Sequence, residues 1–214
     1  MNLPIAEACF IDANIIFYIH DIKQYDFPDV IEKVYKKVII HPEVIKELSL
    51  AGRAFANEKI RTGKWTLFDD SKLSTTEQRM YLNNLTVIDS KLKQIDMIRG
   101  KEESAGTGEI YSLAAASVIH AEYICSNDYS IKDVIQEVPL KVYPNGDDEQ
   151  EPDFIKQHRF LDLCQMICEG NLLERSQVFK CYKTALRIVK LEAPEHYKEL
   201  LQQFHDALPI PSMK

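Results

Sequence analysis

Glycine is scarce and proline only moderate, with seven Gly and nine Pro in 214 residues, which excludes a collagen-like or low-complexity chain. No apolar run approaches the roughly 20 residues of a membrane-crossing helix, so the sequence predicts no membrane span. Positive charge is short as well: 26 Lys and Arg against 33 Asp and Glu leave a net charge of -7. A stand-alone, high-affinity nucleic-acid binder draws most of its affinity from Lys and Arg against phosphates, and this balance argues against one. The cysteines do not form an even set. Five of them, spread from Cys9 to Cys181, do not read as a disulfide framework in a chain long enough to hold together by burial. Met1 to Glu7 lacks the positive region and apolar core of a secretory signal, so the expected location is cytoplasmic.

What is present is ordinary globular material, 45% hydrophobic and 28% charged, enough for one substantial domain with a smaller appendage. The charge is uneven. Residues 151–214 hold nine acidic and nine basic side chains of the 33 and 26, leaving 24 and 17 in residues 1–150. An acidic excess of this kind serves solubility or marks carboxylates gathered at a metal site, and their positions must discriminate.

Through residue 143, short apolar runs alternate with helical patterns. Ala8–Ile11, Val38–Ile40, Thr66–Phe68, Glu122–Cys125 and Leu140–Tyr143 are strand-length. Val44, Ile45, Leu48 and Phe55 share a helical spacing, as do Ile110, Leu113, Ala114, Val118 and Ala121 after Gly106-Thr107-Gly108. Such βαβα alternation predicts an α/β fold: a three-layer α/β/α domain with a mostly parallel sheet. Ser74 to Arg99 reads as one or two helices, a lid or insertion. Residues 144–152, turn formers and acids bracketed by Pro144 and Pro152, read as a linker. Beyond it the pattern predicts an all-helical extension over 153–214, with helices at Phe154–Cys168, Leu172–Leu191 and Pro194–Leu208. The expected divisions are therefore 1–143, 144–152 and 153–214.

Four acids fall where the carboxyl ends of the strands would form a functional crevice. Asp12 ends the first strand, Glu47 lies in the helix after the second, Glu109 opens the helix after Gly106-Thr107-Gly108, and Asp128 follows the fourth strand. Each has a local alternative: Asp12 caps the next helix, and Glu109 favours its own helix N-terminus. Together, four carboxylates repel unless a cation holds them, and hard oxygen donors suit Mg²⁺ or Mn²⁺ rather than zinc.

The ordered set Phe10-Ile11-Asp12-Ala13-Asn14-Ile15-Ile16-Phe17-Tyr18, Pro42-Glu43-Val44-Ile45-Lys46-Glu47-Leu48, Gly106-Thr107-Gly108-Glu109 and Ser126-Asn127-Asp128 resembles the PIN-domain family of metal-dependent nucleases over residues 8 to about 143. Many members carry Asp where Glu109 stands, and Thr or Ser where Ala13 stands. The resemblance implies a PIN-like domain in which Asp12, Glu47, Glu109 and Asp128 are catalytic metal ligands. Asn14 and Ser126 would be supporting polar groups, and Asp133 an outer acid. It also implies phosphodiester hydrolysis with Mg²⁺ or Mn²⁺, and RNA as the expected substrate.

Two basic groups are candidate RNA contacts: Lys59, Arg61 and Lys64 after the Glu47 helix, and Lys180, Lys183 and Arg187 along a C-terminal helix. A solvated face is the alternative for the second. Two other readings of the chain remain open: a non-catalytic interaction module of the same fold with a protein partner, and the toxin half of a pair whose antitoxin plugs the crevice. A homodimer is compatible with all of them.

Overall fold

The computed structural model describes residues 6–100, 106–138, 140–143, 149 and 151–209. Of the expected linker, only 149, 151 and 152 fall among them, and residues 210–214 lie outside. In chain order the principal elements are β1 (Ala6–Ile11), α1 (Ala13–Ile19), α2 (Phe27–Ile31), β2 (Tyr35–Ile40), α3 (Pro42–Glu47), α4 (Leu50–Arg61), β3 (Trp65–Leu67), α5 (Thr75–Arg99), α6 (Thr107–Val118), β4 (Tyr123–Cys125) and α7 (Tyr129–Glu137). Then come β5 (Lys141–Val142), β6 (Asp153–Phe154), β7 (Lys156–His158), α8 (Phe160–Glu169), α9 (Arg175–Ala185), α10 (Arg187–Glu192) and α11 (Pro194–Ala207).

Five strands form one parallel sheet in the order β3-β2-β1-β4-β7. The central strands are covered on both faces, which is why they read as unbroken apolar runs rather than as alternation. Period-two geometry divides them cleanly. Cys9, Ile11, Val38, Ile40 and Cys125 enter one core, while Phe10, Ile39 and Ile124 enter the other. The first core is completed by Ile15, Ile16 and Ile19 of α1 and by Phe160, Leu163 and Ile167 of α8, Tyr182 of α9 and Phe204 of α11. The second is completed by Ile88, Leu92 and Ile95 of α5, Leu113 to Ala116 of α6, and Ile131 and Val134 of α7. The result is a three-layer α/β/α sandwich, and the C-terminal helices supply half of one layer. No helix among the described residues is long and apolar enough to cross a membrane.

Three local expectations are corrected. Residues 74–99 are not a lid: a single 25-residue helix opens on a Ser74/Glu77 capping box and ends at Gly100 (φ 65°), and its Tyr81, Ile88, Leu92 and Ile95 are core. The chain beyond 152 is not purely helical. Lys156–His158 forms the edge strand of the main sheet, paired with Tyr123–Cys125. Lys141–Val142 leaves that sheet and pairs antiparallel with Asp153–Phe154. The segment 153–158 holds one buried apolar residue, Ile155, so its strand character comes from the open edge of β4 and not from its own pattern. The sheet thus draws strands from both sides of residues 144–152. Lastly, the helix expected over 172–191 starts at Arg175 and breaks at Leu186, whose backbone leaves helical geometry.

Candidate functional site

The chain runs outward from β1 through β2 to β3, then returns to the other side of β1 for β4 and β7. The reversal lies between β1 and β4, and the crevice outside the carboxyl ends of strands at such a point is where open α/β sheets bind ligands. Asp12 and Asn14 follow β1 there, and Ser126, Asn127 and Asp128 follow β4. All four candidate acids, with Asn14, Phe17, Gly106 and Asn127, line one cleft of about 360 Å³.

The side chains are tightly organised. Asp12 caps α1, accepting from the Asn14 amide at 3.3 Å. The same residue is thus a cap and also lines the cleft. Asn14 Nδ2 donates to Glu109 Oε1 at 2.9 Å and to Ser126 Oγ at 3.0 Å, and Ser126 Oγ donates to Glu109 Oε1 at 3.1 Å. Asn14 Oδ1 in turn accepts from the Asn127 amide at 3.0 Å, locking the amide orientation. Glu109 sits at the third position of α6 and reaches back to accept from the Gly106 amide at 2.9 Å. Asp128 caps α7 through Ser130, and its own amide donates to Ser126 Oγ at 3.1 Å.

Glu47, the last residue of α3, is exposed, and its Oε1 accepts from the Gly108 amide at 2.6 Å. The two glycines make room for it. A Cβ on Gly106 would stand 2.9 Å from both Glu47 carboxylate oxygens, and one on Gly108 would stand 2.8 Å from Val44 Cγ2.

Burial acts on two of these carboxyls, Glu109 and Asp12. Burial, followed by the facing Asp12 and then Asp128, pushes the Glu109 carboxyl up to about 9. Burial also pushes Asp12 up to about 6, opposed by the hydrogen bond from Glu109 and by the amides of Ala13 and Asn14. The two carboxyls act as a pair, and burial drives both upward, so the pair as a unit favours keeping a proton. No amide, hydroxyl or amine N–H or O–H among the described residues donates to the buried Asp12 Oδ1, which leaves the proton of the Asp12–Glu109 pair or a bound cation to satisfy it.

Among the described residues, no three acidic, histidine or cysteine groups are already disposed to hold an ion. The donor set nevertheless fits a hard divalent cation: only oxygen ligands, a buried and mutually repelling carboxyl pair, and one buried carboxylate oxygen that no amide, hydroxyl or amine among the described residues reaches. Glu47 lines the same cleft with an exposed side chain held by the Gly108 amide.

The other candidates lie elsewhere. Asp133 is ion-paired with Arg99 at the end of α5 and does not line the cleft. Lys59 is buried and paired with Asp29 and Glu32, Lys64 with Asp29 at 2.9 Å, and Arg61 with Glu58 at 2.7 Å. These three close α4 just before β3 starts, at the amino-terminal edge of the sheet and opposite the cleft. Lys59 is thus a buried structural cation, removed from any RNA surface. Lys180 rests on Tyr25, Lys183 on the Phe179 ring, and Arg187 pairs with Asp21. Asp21 and Tyr25 follow α1, so this stripe meets the far end of a helix about 10 Å long from Asp12.

Sequence reasoning missed Gln157, whose Nε2 donates at 2.7 Å to the carbonyls of both Ser126 and Asp128 and so fixes the loop after β4. Its only signal was membership of a strand that the pattern does not reveal. No protein family, curated protein or solved structure matches the chain.

Proposed function

We propose that the protein is a divalent-metal-dependent nuclease hydrolysing phosphodiester bonds, with RNA as substrate, and that Asp12, Glu47, Glu109 and Asp128 hold the ion. The observation that carries the reading is that Asp12, Glu47, Glu109 and Asp128 line one cleft in the crevice where the strand order reverses, with Asp12 and Glu109 buried against each other. The ordered resemblance to PIN-domain nucleases supports the same four residues.

When bound there, Mg²⁺ or Mn²⁺ supplies the positive charge that a phosphodiester needs for in-line attack by water at neutral pH. The chain's own groups perform the remaining tasks. Asn14 and Ser126 hold Glu109 Oε1 in place, leaving only a proton to be lost before Asp12 and Glu109 can both serve as anionic donors. Asp128 is aimed by its capping bond to Ser130. Phe17, exposed on the cleft wall, offers a flat face to an unstacked base.

Calorimetry with Mn²⁺, together with cleavage of a fluorescent single-stranded RNA, tests this. The parent should bind Mn²⁺ and cleave RNA in Mg²⁺ or Mn²⁺ but not in EDTA. Asp12→Asn should lose both by at least tenfold while remaining folded. Equal Mn²⁺ affinity in parent and variant, or cleavage that survives EDTA, would overturn the proposal.

A further inference from the structure

The loop that follows β4 is gripped by four consecutive residues from beyond residues 144–152. Gln157 Nε2 donates to the Ser126 and Asp128 carbonyls, at 2.7 Å each. The Ser126 amide donates to the His158 carbonyl at 3.1 Å, and the Phe160 amide donates to Asn127 Oδ1 at 2.9 Å. Residues 157–160 therefore hold each of Ser126, Asn127 and Asp128, the three residues that bring the β4 side of the site into place.

Gln157 is the centre of this grip. Its side-chain amide uses both hydrogens on two backbone acceptors, one on either side of Asn127. The clamp fixes where the chain leaves the sheet, and short local bonds then aim the side chains. Ser130 donates its amide to Asp128 Oδ1 at 2.7 Å, the Asp128 amide donates to Ser126 Oγ at 3.1 Å, and that hydroxyl donates to Glu109 Oε1 at 3.1 Å. Gln157 is not among the residues that line the cleft, so it acts on the site only through the loop. The loop has room to shift once released, because Asn127 also borders a space of about 180 Å³ shared with Tyr18, Arg159 and Tyr182.

We propose that Gln157 is a positioning residue for the metal site: by clamping the Ser126 and Asp128 carbonyls it fixes the Asp128 carboxylate as a donor. Ion affinity then depends on a strand that the chain adds only after residue 152. The inference rests on the metal reading of the cleft and adds to it a residue that touches no ion. Groups that orient metal ligands from outside typically contribute about 10–100-fold to affinity.

Calorimetry with Mn²⁺ and amide hydrogen exchange of the metal-free protein test this together. Gln157→Met keeps the length of the side chain and removes both donors. It should bind Mn²⁺ more weakly by about tenfold or more. The Asn127 and Asp128 amides should exchange about tenfold faster, while those of Phe10 and Ile11 on the neighbouring strand keep the parent's rates. Asp128→Asn should also weaken Mn²⁺ binding, and adding Gln157→Met to it should cost little more, because both changes remove the same donor. A change that only loosened the fold would lower the melting temperature without this non-additivity. Gln157→Asn, one carbon too short to reach both carbonyls, carries the same expectation and decides the matter if the methionine variant fails to fold. Parent-like Mn²⁺ affinity in a folded Gln157 variant, unchanged exchange at Asn127 and Asp128, or fully additive losses in the double variant would overturn the positioning role and leave the metal reading standing. No Mn²⁺ binding by the parent would overturn the metal reading, and this inference with it.

Discussion

At the scale of single residues, the two glycines before Glu109 separate stability from site geometry. On Gly108 an added methyl meets Val44 Cγ2 at 2.8 Å and the Val44 backbone Cα at 3.1 Å, so α3 and α6 must move apart. Gly108→Ala should cost about 1–3 kcal/mol, as overpacking does, visible as a lower denaturation midpoint. On Gly106 the methyl meets only the end of the exposed Glu47 side chain, which can swing away. Gly106→Ala should therefore melt within a degree or two of the parent yet bind Mn²⁺ more weakly; parent-like Mn²⁺ affinity would show that Glu47 is not a donor. The Glu109 carboxyl gives a pH prediction with a definite sign. Its folded-state value, about 9, lies above the ordinary carboxylate range, so the folded chain holds a proton that the unfolded chain releases. Its stabilising contribution is complete below about pH 4 and is lost as pH rises towards 9. Metal-free thermal stability should accordingly fall between pH 5 and 9. Glu109→Gln should flatten that slope and exceed the parent at pH 9 by at least ~1 kcal/mol, about 2–4 °C in a chain of this size. An equally steep slope in the variant would place the proton elsewhere.

Among the secondary-structure elements, β7 and α8 carry the most consequence, because they belong to the sheet layer and the helix layer rather than to an appendage. Truncation after Tyr143 removes β7 from the edge of β4 and uncovers Cys9, Ile11, Val38 and Ile40 on one face. An open strand edge beside bare apolar surface aggregates, so the 1–143 fragment should be insoluble, and a soluble fragment melting cooperatively would contradict this packing. Phe160, fully buried between Tyr18, Phe27 and Tyr182, joins α8 to α1, α2 and α9. Phe160→Ala should cost about 3–5 kcal/mol, measured by chemical denaturation. That the C-terminal helices pack on the sheet is legible in the apolar faces holding Leu163, Leu186, Leu200 and Phe204, which three short helices cannot hide among themselves. The strand at 156–158 is not legible, because Lys156-Gln157-His158 has no apolar alternation.

Across the whole molecule, charge is arranged against the cleft. The four candidate acids gather at the carboxyl edge of the sheet, while Lys59 and Lys64 are neutralised by Asp29 and Glu32 at the opposite edge. The C-terminal stripe meets the far end of α1. Replacing Lys180, Lys183 and Arg187 by Gln should leave both Mn²⁺ affinity and the salt dependence of RNA binding unchanged. A slope reduced by about one unit per lost phosphate contact would return the stripe to the substrate path.

The α/β class and the positions of the four acids at strand and helix ends could be read from the chain, because both rest on local rules. Apolar periodicity marks elements, and an acid or glycine at the junction of strand and helix keeps its meaning wherever the element goes. Asp12, Glu109 and Asp128 stand where those rules put them. The strand order, the partner of Lys141–Val142, the burial of Lys59 and the joining of Tyr18, Arg159 and Tyr182 around one cavity could not be read this way. Each depends on which distant segment completes an edge or a face: the open edge of β4 makes a strand of a polar tripeptide, and Asp29 and Glu32 turn a candidate phosphate contact into a buried ion pair. Neighbours more than ten residues away in sequence supply those energies, beyond the reach of a local pattern.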